Sequence, residues 1–412
     1  MALSPDRVRA AFSLRTNAAR LFVPPASHAR LGSLDGLRAL SVLWVILFHA
    51  AWYARFFLVA PTWLTLFSAP WMVPLWRGDF GVDVFFVLSG FLIGGLLEDE
   101  RVKIGGVRLG RFYARRALRL WPALLVVVAV KLVSSDVQRG MVWANVLYVN
   151  DFLPVLSVTL GWTWSLAIEE QFYLVCPWLL RALAPLSSRR RVVALGVLVV
   201  ALAGVAVAVV TQAGLHAWDA EVVANIDTPH WARAFDILYD KPWMRAGALL
   251  AGVAAAVVYR TPAWMAALGR GGVGVGVGAV GALVLMGLST HWPLAADAGR
   301  ALEVAYLASF RTTFGVAVAF VLLVVLSPHP LGRALAAPLS SRVLYPVAQL
   351  AYPAYLVNPL VTLYLGERVG PFVDGSPMAL AVLVPCDLVG TLACAAVIHL
   401  AVERPFMELR PR

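Results

Sequence analysis

The chain is 412 residues long; 61% of them are hydrophobic and only 14% are charged. Soluble domains carry about 25% charged residues, so this composition excludes a soluble globular protein and indicates a polytopic membrane protein. The net charge of +11 does not indicate binding to nucleic acid, because the arginines form short clusters between apolar runs without a basic groove or interleaved aromatic residues.

Apolar runs long enough to cross a bilayer, about 20 residues each, recur along the whole chain. We predict an all-α polytopic bundle: an integral-membrane domain over residues 34–406, an N-terminal tail of residues 1–33 and a C-terminal tail of residues 407–412. The ten predicted membrane helices lie near 34–58, 79–98, 116–134, 162–184, 192–212, 243–260, 272–290, 304–327, 342–365 and 378–402.

An eleventh apolar segment, 140–156, contains two asparagines, an aspartate and a proline. Cytoplasmic loops of membrane proteins are enriched in arginine and lysine. If 140–156 crossed the membrane, the arginine cluster at 181–191 would lie outside. As a re-entrant or interfacial segment it leaves that cluster and both termini in the cytoplasm, which favours ten spans.

The three cysteines, Cys176, Cys386 and Cys394, lie within apolar runs and lack the spacing of metal ligands. Cysteine packs as a small apolar residue in such surroundings. We therefore interpret all three as packing residues and predict no metal site.

An ionisable side chain near the bilayer centre costs at least about 2.5 kcal/mol, so each one in a span is a candidate functional residue. In LDGLRALSVLWVILFHA, Arg38 lies at the predicted cytoplasmic end and His49 follows eleven residues later. Helical geometry places them about 16 Å apart along the axis and within about 20° on one face. They could line one path; alternatively, Arg38 snorkels and His49 bonds a neighbouring helix.

GDFGVDVFFVLSGFLIGGLL brings Asp79 and Asp83 into a span at i, i+4 spacing, which predicts a shared helix face. Ser89 and Gly90 lie midway along the same segment. Small residues allow close approach of a ligand or of another helix, and helix packing is the simpler interpretation of this pair.

RFYARRALRLWP carries Arg111, Arg115 and Arg119 at i, i+4, i+8 spacing, with Arg116 beside them. This basic ridge, at the predicted cytoplasmic interface, is suited to bidentate contacts with phosphates. A topology signal and a site for anionic lipids are equally open interpretations.

WSLAIEEQFYLVCPWLL places Ser165, Glu169 and Tyr173 at i, i+4, i+8 spacing on one helix stripe, which begins near Trp164. A buried carboxylate favours its neutral form unless it pairs with a cation. This makes His49 a candidate partner for Glu169.

LAYPAYLVNPLV aligns Tyr352, Tyr355 and Asn358 at i, i+3, i+6 spacing. Pro353 and Pro359 are expected to distort this helix and free backbone carbonyls. Such distortion is typical of cavity-lining helices and also of simple structural kinks.

Taken in order, LDGLRALSVLWVILFHA, GVDVFFVLSGFLI, FYARRALRLWP, WSLAIEEQFYLVCPWLL, YPAYLVNP and VERPF resemble segments of the acyltransferase 3 family of integral-membrane acyltransferases. The resemblance implies transfer of an acyl group, commonly acetyl, from acyl-CoA to a hydroxyl of a saccharide-containing acceptor, such as a surface polysaccharide or a glycosylated natural product. It implies no tightly bound cofactor, since acyl-CoA, here expected to be acetyl-CoA, is a co-substrate.

The resemblance assigns site roles residue by residue. Its R-x10-H pattern, its arginine-rich segment and its WSLxxExxxY pattern fall on Arg38, His49, Arg115, Arg116, Arg119, Trp164, Ser165, Glu169 and Tyr173. The polar patterns add Asp83, Ser89, Tyr355 and Asn358 as candidate substrate-binding residues. Asn358 stands where the family pattern commonly has histidine, and because asparagine cannot titrate, the acid-base chemistry falls on His49.

An alcohol attacking a thioester needs a base whose pKa lies near the working pH, and histidine meets this need. We hypothesise that His49 is this general base; a covalent acyl-histidine is the rival mechanism. Glu169 would orient the imidazole, and Tyr173, Ser165 or Asn358 would bind the oxyanion. The basic ridge would hold the coenzyme A phosphates.

The implied location is the bacterial cytoplasmic membrane, with membrane lipids as partners. No extracellular hydrolase-like domain of the kind that some family members carry is recognisable, so downstream transfer or export proteins are expected as well. A transporter or flippase for a lipid-linked or small polar substrate is the alternative, because it also combines many spans with intramembrane charges. The two halves show no repeated pattern, which favours the enzyme.

Overall fold

The computed structural model describes residues 4–24, 28–54, 72–134, 139–216, 229–290, 299–369 and 378–411. Within these ranges the chain is helical and has no strand. Ten helices of at least 18 residues form the framework: α1 His28–Ala54, α2 Gly81–Ile104, α3 Leu109–Ser134, α4 Trp164–Leu183, α5 Ser188–Ala213, α6 Pro242–Tyr259, α7 Gly272–Thr290, α8 Arg300–Val325, α9 Leu344–Val369 and α10 Met378–Ile398.

Short helical segments join or flank these ten. The α-helical ones are Pro5–Ala11, Leu14–Phe22, Val73–Trp76, Val142–Val146, Pro229–Ala234, Pro262–Arg270, Pro330–Leu339 and Arg404–Glu408. Two π-helical segments, Phe235–Tyr239 and His399–Glu403, precede α6 and follow α10. The 3₁₀ turns are Gly78–Phe80, Arg139–Met141, Asn150–Phe152, Val155–Ser157 and Gly161–Thr163.

Each predicted span corresponds to one of the ten long helices; the last predicted residues of the first span, 55–58, lie outside the described residues. Seven helical stretches of the described chain are long and apolar enough to cross a membrane. The other three helices, α3, α4 and α9, have 26, 20 and 26 residues but carry the polar motifs. The all-α membrane fold is confirmed, while the count of ten spans and the side of the termini stay predictions.

The third helix begins earlier than predicted. Hydropathy places its start near residue 116, whereas α3 starts at Leu109 and includes the whole basic ridge. Arginine, alanine and leucine are all strong helix formers, so the charged turns continue the apolar helix. The ridge is therefore built on a regular helix, which places Arg111, Arg115 and Arg119 along one face.

Segment 140–156 contains no helix of spanning length. Its polar side chains instead bond the turns that surround α4: Asn145 Nδ2 donates to Leu160 O at 2.9 Å and to Thr163 Oγ1 at 2.9 Å. Gln171 of α4 donates to Tyr148 O and to Asp151 Oδ1, at 2.9 and 2.8 Å. Asn145 and Asp151, two of the residues that argued against a span, thus take part in hydrogen bonds that stabilise this irregular backbone.

The chain divides into two compact units. The first comprises residues 1–81, 108–139 and 338–412, and in it α1 packs against α9 and α10. The second comprises residues 82–107 and 140–337, and in it α6 packs against α5 and α8.

Helices α2 and α6 of the second unit meet backbone to backbone. A Cβ added at Gly90 would lie 2.0 Å from Leu249 O, and one added at Gly252 would lie 2.1 Å from Val87 O. Both distances are far inside van der Waals contact, so only glycine fits at either position. This confirms the packing interpretation of Gly90.

The two chain ends contact each other within the first unit. Arg7 Nη2 donates to the backbone oxygens of Glu408 and Arg410, at 3.0 and 3.2 Å. Asn17 Nδ2 donates to Leu400 O at 3.3 Å. The residues predicted as an N-terminal tail thus include two short helices that are attached to the C-terminal segment.

Candidate active site

His49 lies on α1, in the first unit, and faces α9. Its Nδ1 lies 2.7 Å from Asn358 Oδ1. Small buried residues, Ala50 and Ala51 on α1 and Ala354 on α9, allow these helices to approach closely. Two predicted site residues from distant parts of the sequence are therefore in direct contact.

The Asn358 amide is surrounded on its other side by hydrogen-bond acceptors. Its Nδ2 lies 3.0 Å from Asp387 Oδ2, 3.1 Å from Thr391 Oγ1 and 3.2 Å from Thr362 Oγ1, and its two protons are shared among these three acceptors. All four side chains are buried, and Asn358 itself is 0% exposed. The Thr362 hydroxyl also donates to Asp387 Oδ1 at 2.8 Å.

This network fixes which nitrogen of His49 carries the proton. The carboxylate of Asp387 can only accept, so it holds the NH₂ group of Asn358 toward itself and turns the amide oxygen toward His49. Because an amide oxygen also only accepts, neutral His49 must donate from Nδ1. Its Nε2 then keeps a free lone pair, as a base or a nucleophile requires.

Sequence reasoning missed Asp387, Thr362 and Thr391. Asp387 lies within the predicted span 378–402, where it is the only ionisable side chain of the helix Met378–Ile398 apart from two cysteines. The cost of an intramembrane carboxylate, applied to this helix as it was to the others, would have identified it. The threonines give no comparable signal, since threonine is common in membrane helices.

Arg38 lies on the same helix as His49, and α1 is regular between them. Its Nη1 donates to Asp35 Oδ1 at 3.2 Å, one helical turn earlier. The two side chains are about one-fifth exposed. The charged residues at the start of this helix therefore pair with each other, at a distance from the imidazole.

Asp79 and Asp83 do not share a helix face as their spacing predicted. Asp79 lies in the 3₁₀ turn Gly78–Phe80, before α2 begins at Gly81, and Arg77 Nε donates to its Oδ1 at 3.0 Å. Glycine at 78 and 81 favours a turn here over an early helix start. Each aspartate has its own arginine partner.

Asp83 is the counter-ion of two buried arginines in the second unit. Arg245 Nη1 lies 2.9 Å from its Oδ1 and Arg311 Nη1 lies 2.9 Å from its Oδ2. The guanidinium of Arg245 stacks over the rings of Trp164 and Tyr239, at 4.7 and 4.5 Å. Trp164 thus covers this cluster, and the cation-π contacts help to stabilise two guanidinium groups beside one carboxylate.

The WSLxxExxxY segment forms a second polar series in the second unit. Tyr173 donates its hydroxyl proton to Glu169 Oε1 at 2.5 Å, one turn away on α4. Because that proton is used, the Ser89 hydroxyl, 2.5 Å from Tyr173 Oη, is the donor to the tyrosine. Glu169 and Tyr173 thus lie on one stripe as predicted, while a partnership of Glu169 with His49 stays a prediction.

The other predicted site residues are placed on the long helices. Ser165 is buried in the first turn of α4 and Tyr355 is buried on α9, while Tyr352 donates to Leu120 O at 2.6 Å. Helix α9 continues through both of its prolines. On α3, Arg115 is exposed and the Arg116 guanidinium lies 5.8 Å from the centroid of the Phe112 ring.

Comparison with known proteins identifies the family of this chain. The family model described as an acyltransferase domain matches residues 31–400. The peptidoglycan O-acetyltransferase OatA of Listeria monocytogenes is 34% identical over 171 residues, which cover 37% of this chain and 24% of that protein. The O-acetyltransferase OatA of Staphylococcus aureus is 33% identical over 166 residues, 36% of this chain and 24% of that protein. The match thus spans about a quarter of the length of these relatives, and no solved structure matches the chain significantly.

Proposed function

We propose a function from one premise: the chain belongs to the acyltransferase 3 family. It is an integral-membrane acyltransferase, and we propose that it lies in the bacterial cytoplasmic membrane. We propose that it moves an acetyl group from acetyl-CoA to a hydroxyl of a saccharide-containing acceptor. The names of two relatives, an O-acetyltransferase and a peptidoglycan O-acetyltransferase, support the acetyl group and the saccharide. The family motifs support acyl-CoA as the donor.

The observation that carries the proposal is the series His49, Asn358 and Asp387. It supplies an imidazole with a fixed Nδ1–H and a free Nε2 lone pair. A histidine held in one tautomer by a partner on its other nitrogen is the arrangement that general-base catalysis needs. In this role His49 Nε2 takes the proton of the acceptor hydroxyl while the oxygen attacks the thioester carbonyl.

The second half of the reaction returns that proton. The tetrahedral intermediate collapses, the carbon–sulfur bond breaks, and the thiolate of coenzyme A takes the proton from Nε2. In the rival mechanism Nε2 attacks the thioester carbonyl and the coenzyme A thiolate leaves. The acceptor hydroxyl then attacks the acetyl-imidazolium, the imidazole leaves, and the hydroxyl proton passes to the thiolate. Both mechanisms need the same free lone pair.

The hydrogen bonds in the structure reduce the number of side chains that can donate to the oxyanion. The NH₂ group of Asn358 is occupied by Asp387 and two threonines, so Asn358 is not available to the oxyanion. The proton of Tyr173 is donated to Glu169. We keep Ser165 and Tyr173 as the candidate oxyanion donors that the family motifs imply.

An assay of the purified protein in lipid nanodiscs tests the function. We expect free coenzyme A thiol to be released from acetyl-CoA in the presence of a saccharide acceptor, and the acceptor to gain one acetyl group in mass spectrometry. A transporter or flippase would bind or move substrate without consuming the thioester. Loss of one acetyl mass from the surface glycans of a strain lacking the gene would identify the acceptor class. Intact thioester with every acceptor tried would contradict the proposal.

Substitution of Asp387 tests the positioning series. We expect Asp387→Asn to lower kcat by about 10- to 100-fold, as loss of a partner that orients a functional histidine does, with an unchanged KM for acetyl-CoA. Asn358→Leu should lower kcat similarly. The double variant should lose no more than the worse single variant, because both substitutions break the same connection to His49.

Glu367→Gln is the matched control, since it makes the same chemical change at an exposed carboxylate of α9. It should leave kcat within about twofold of the wild type. Additive losses in the double variant, or an Asp387→Asn protein with wild-type kcat, would argue against a connection through Asn358.

A further inference from the structure

A cavity of about 370 Å³ lies beside the basic ridge, within the first unit. Arg115 of α3 lines it together with residues of both chain ends, among them Arg7, Arg20 and Arg410. The chain ends therefore form walls of this space and do not merely flank the membrane domain.

The lining of this cavity has an excess of positive charge. It contains four arginines and one carboxylate, Glu408, which gives +4 − 1 = +3. Glu408 is already engaged by Arg20 at 2.7 Å and by Arg404 at 3.0 Å. Among the described residues, neither Arg115 nor Arg410 has a carboxylate within ion-pair distance.

The charge of Arg410 is disfavoured by the arginines around it. It is partly buried, and its Nε donates to Met407 O at 2.8 Å. Burial, followed by repulsion from Arg119, Arg115 and Arg116, lowers the pKa of Arg410 to about 10. Guanidinium groups crowded in this way are stabilised when an anion binds among them.

The chemistry of the lining selects a phosphate ester. Guanidinium groups bind phosphate oxygens in bidentate pairs, and the cavity volume falls within the range of about 300–1,000 Å³ that is usual for ligand pockets. A phospholipid headgroup and a nucleotide both carry phosphate. The nucleotide half of coenzyme A, with a diphosphate and a phosphate monoester of about −2, matches an excess of +3 better than the single phosphate of a common anionic lipid.

We propose that the two chain ends complete the donor site on the basic ridge, with Arg7, Arg20 and Arg410 holding phosphate groups of the acyl-CoA nucleotide. This inference rests on the proposed function, which supplies acyl-CoA as the donor. It makes the N-terminal segment a part of the substrate site, whereas the sequence alone described it as a tail.

Binding of coenzyme A to the full-length protein, in nanodiscs of zwitterionic lipid, tests the inference by calorimetry. We expect Arg410→Gln to weaken binding by at least about tenfold and Arg20→Gln by several-fold, since each removes a charge-assisted contact. Arg20 is 48% exposed, so its replacement preserves the fold. The matched control is Arg9→Gln, an exposed arginine of the same short helix as Arg7 that does not line the cavity; it should bind as the wild type does.

A truncated donor adds an independent readout. Acetyl-pantetheine carries the thioester without the nucleotide, so Arg410→Gln should raise the KM for acetyl-CoA and leave the KM for acetyl-pantetheine unchanged. Equal effects on both donors would overturn the inference. Wild-type affinity for coenzyme A in both Arg410→Gln and Arg20→Gln would also overturn it. If these two variants instead lost bound phosphatidylglycerol in native mass spectrometry, the cavity would be assigned to lipid.

These outcomes are separable from failure of the proposed function. If wild-type protein consumes acetyl-CoA but the cavity variants bind coenzyme A normally, only the inference fails. If wild-type protein neither binds coenzyme A nor consumes the thioester, the proposed function fails and the inference falls with it.

Discussion

Replacement of His49 by alanine is expected to lower acetyl transfer by about 10²- to 10⁴-fold, the range that a positioned general base contributes. The lost group is the only imidazole in the series with Asn358 and Asp387, and neither an amide nor a threonine hydroxyl can replace it near neutral pH. The measurement is acceptor-dependent release of coenzyme A thiol by protein that elutes as the wild type does in size-exclusion chromatography.

Two controls sharpen the test of His49. Affinity for coenzyme A should be unchanged in His49→Ala, because the proposed donor phosphates lie at the basic ridge. Wild-type protein incubated with acetyl-CoA in the absence of acceptor should remain unmodified if His49 is a base, and should gain an acetyl group on His49 if the covalent mechanism operates. Near-wild-type turnover by His49→Ala would rule out both mechanisms.

Replacement of Asp83 by asparagine is expected to be the most destabilising change in the second unit. It removes the carboxylate that both Arg245 and Arg311 contact, and their side chains are only 0% and 3% exposed. Breaking a buried ion pair by removing one partner costs about 3–5 kcal/mol. The measurement is the apparent melting temperature, followed by size-exclusion chromatography after heating, together with the yield of folded protein.

Asp99→Asn is the matched control for Asp83. It removes a carboxylate from the same helix, α2, but from a pair with Arg260 in which Asp99 is 65% exposed, and surface pairs contribute about 0–1 kcal/mol. Combining Asp83→Asn with Arg311→Gln should recover part of the loss, because it removes one of the two buried cations that Asp83 contacts. A melting temperature for Asp83→Asn that equals that of Asp99→Asn would show that the cluster is not a major source of stability.

Hydropathy alone was sufficient to place the ten long helices, because a helix that faces lipid must be apolar over about 20 residues. Hydropathy predicted helix boundaries least accurately where a helix carries charged residues. Helix α3 starts at Leu109 instead of 116, since the arginines of the basic ridge lower hydropathy without breaking the helix. Similarly, Asn145 and Asp151 argued against a span, but their partners around α4 could not be deduced from composition.

The sequence predicted arrangements within one helix of the candidate site but not the contacts between its helices. Helical periodicity correctly placed Glu169 and Tyr173 on one stripe, and in the structure the two side chains are hydrogen-bonded. It gave no information about partners on different helices, so the contact of His49 with Asn358, and of Asn358 with Asp387, emerged only from the packing of α1, α9 and α10. Spacing on one chain segment cannot report which helix packs against which.

The amide of Asn358 prevents proton transfer between Asp387 and His49. Unlike a second imidazole, an amide can neither accept a proton from His49 Nδ1 nor pass one to the carboxylate near neutral pH. Asp387 therefore orients the imidazole without exchanging protons with it. A proton that His49 accepts at Nε2 must therefore be donated again from Nε2. If His49 is the base, each turnover must release its proton on the substrate side of the ring, and the departing thiolate is the group that completes the cycle.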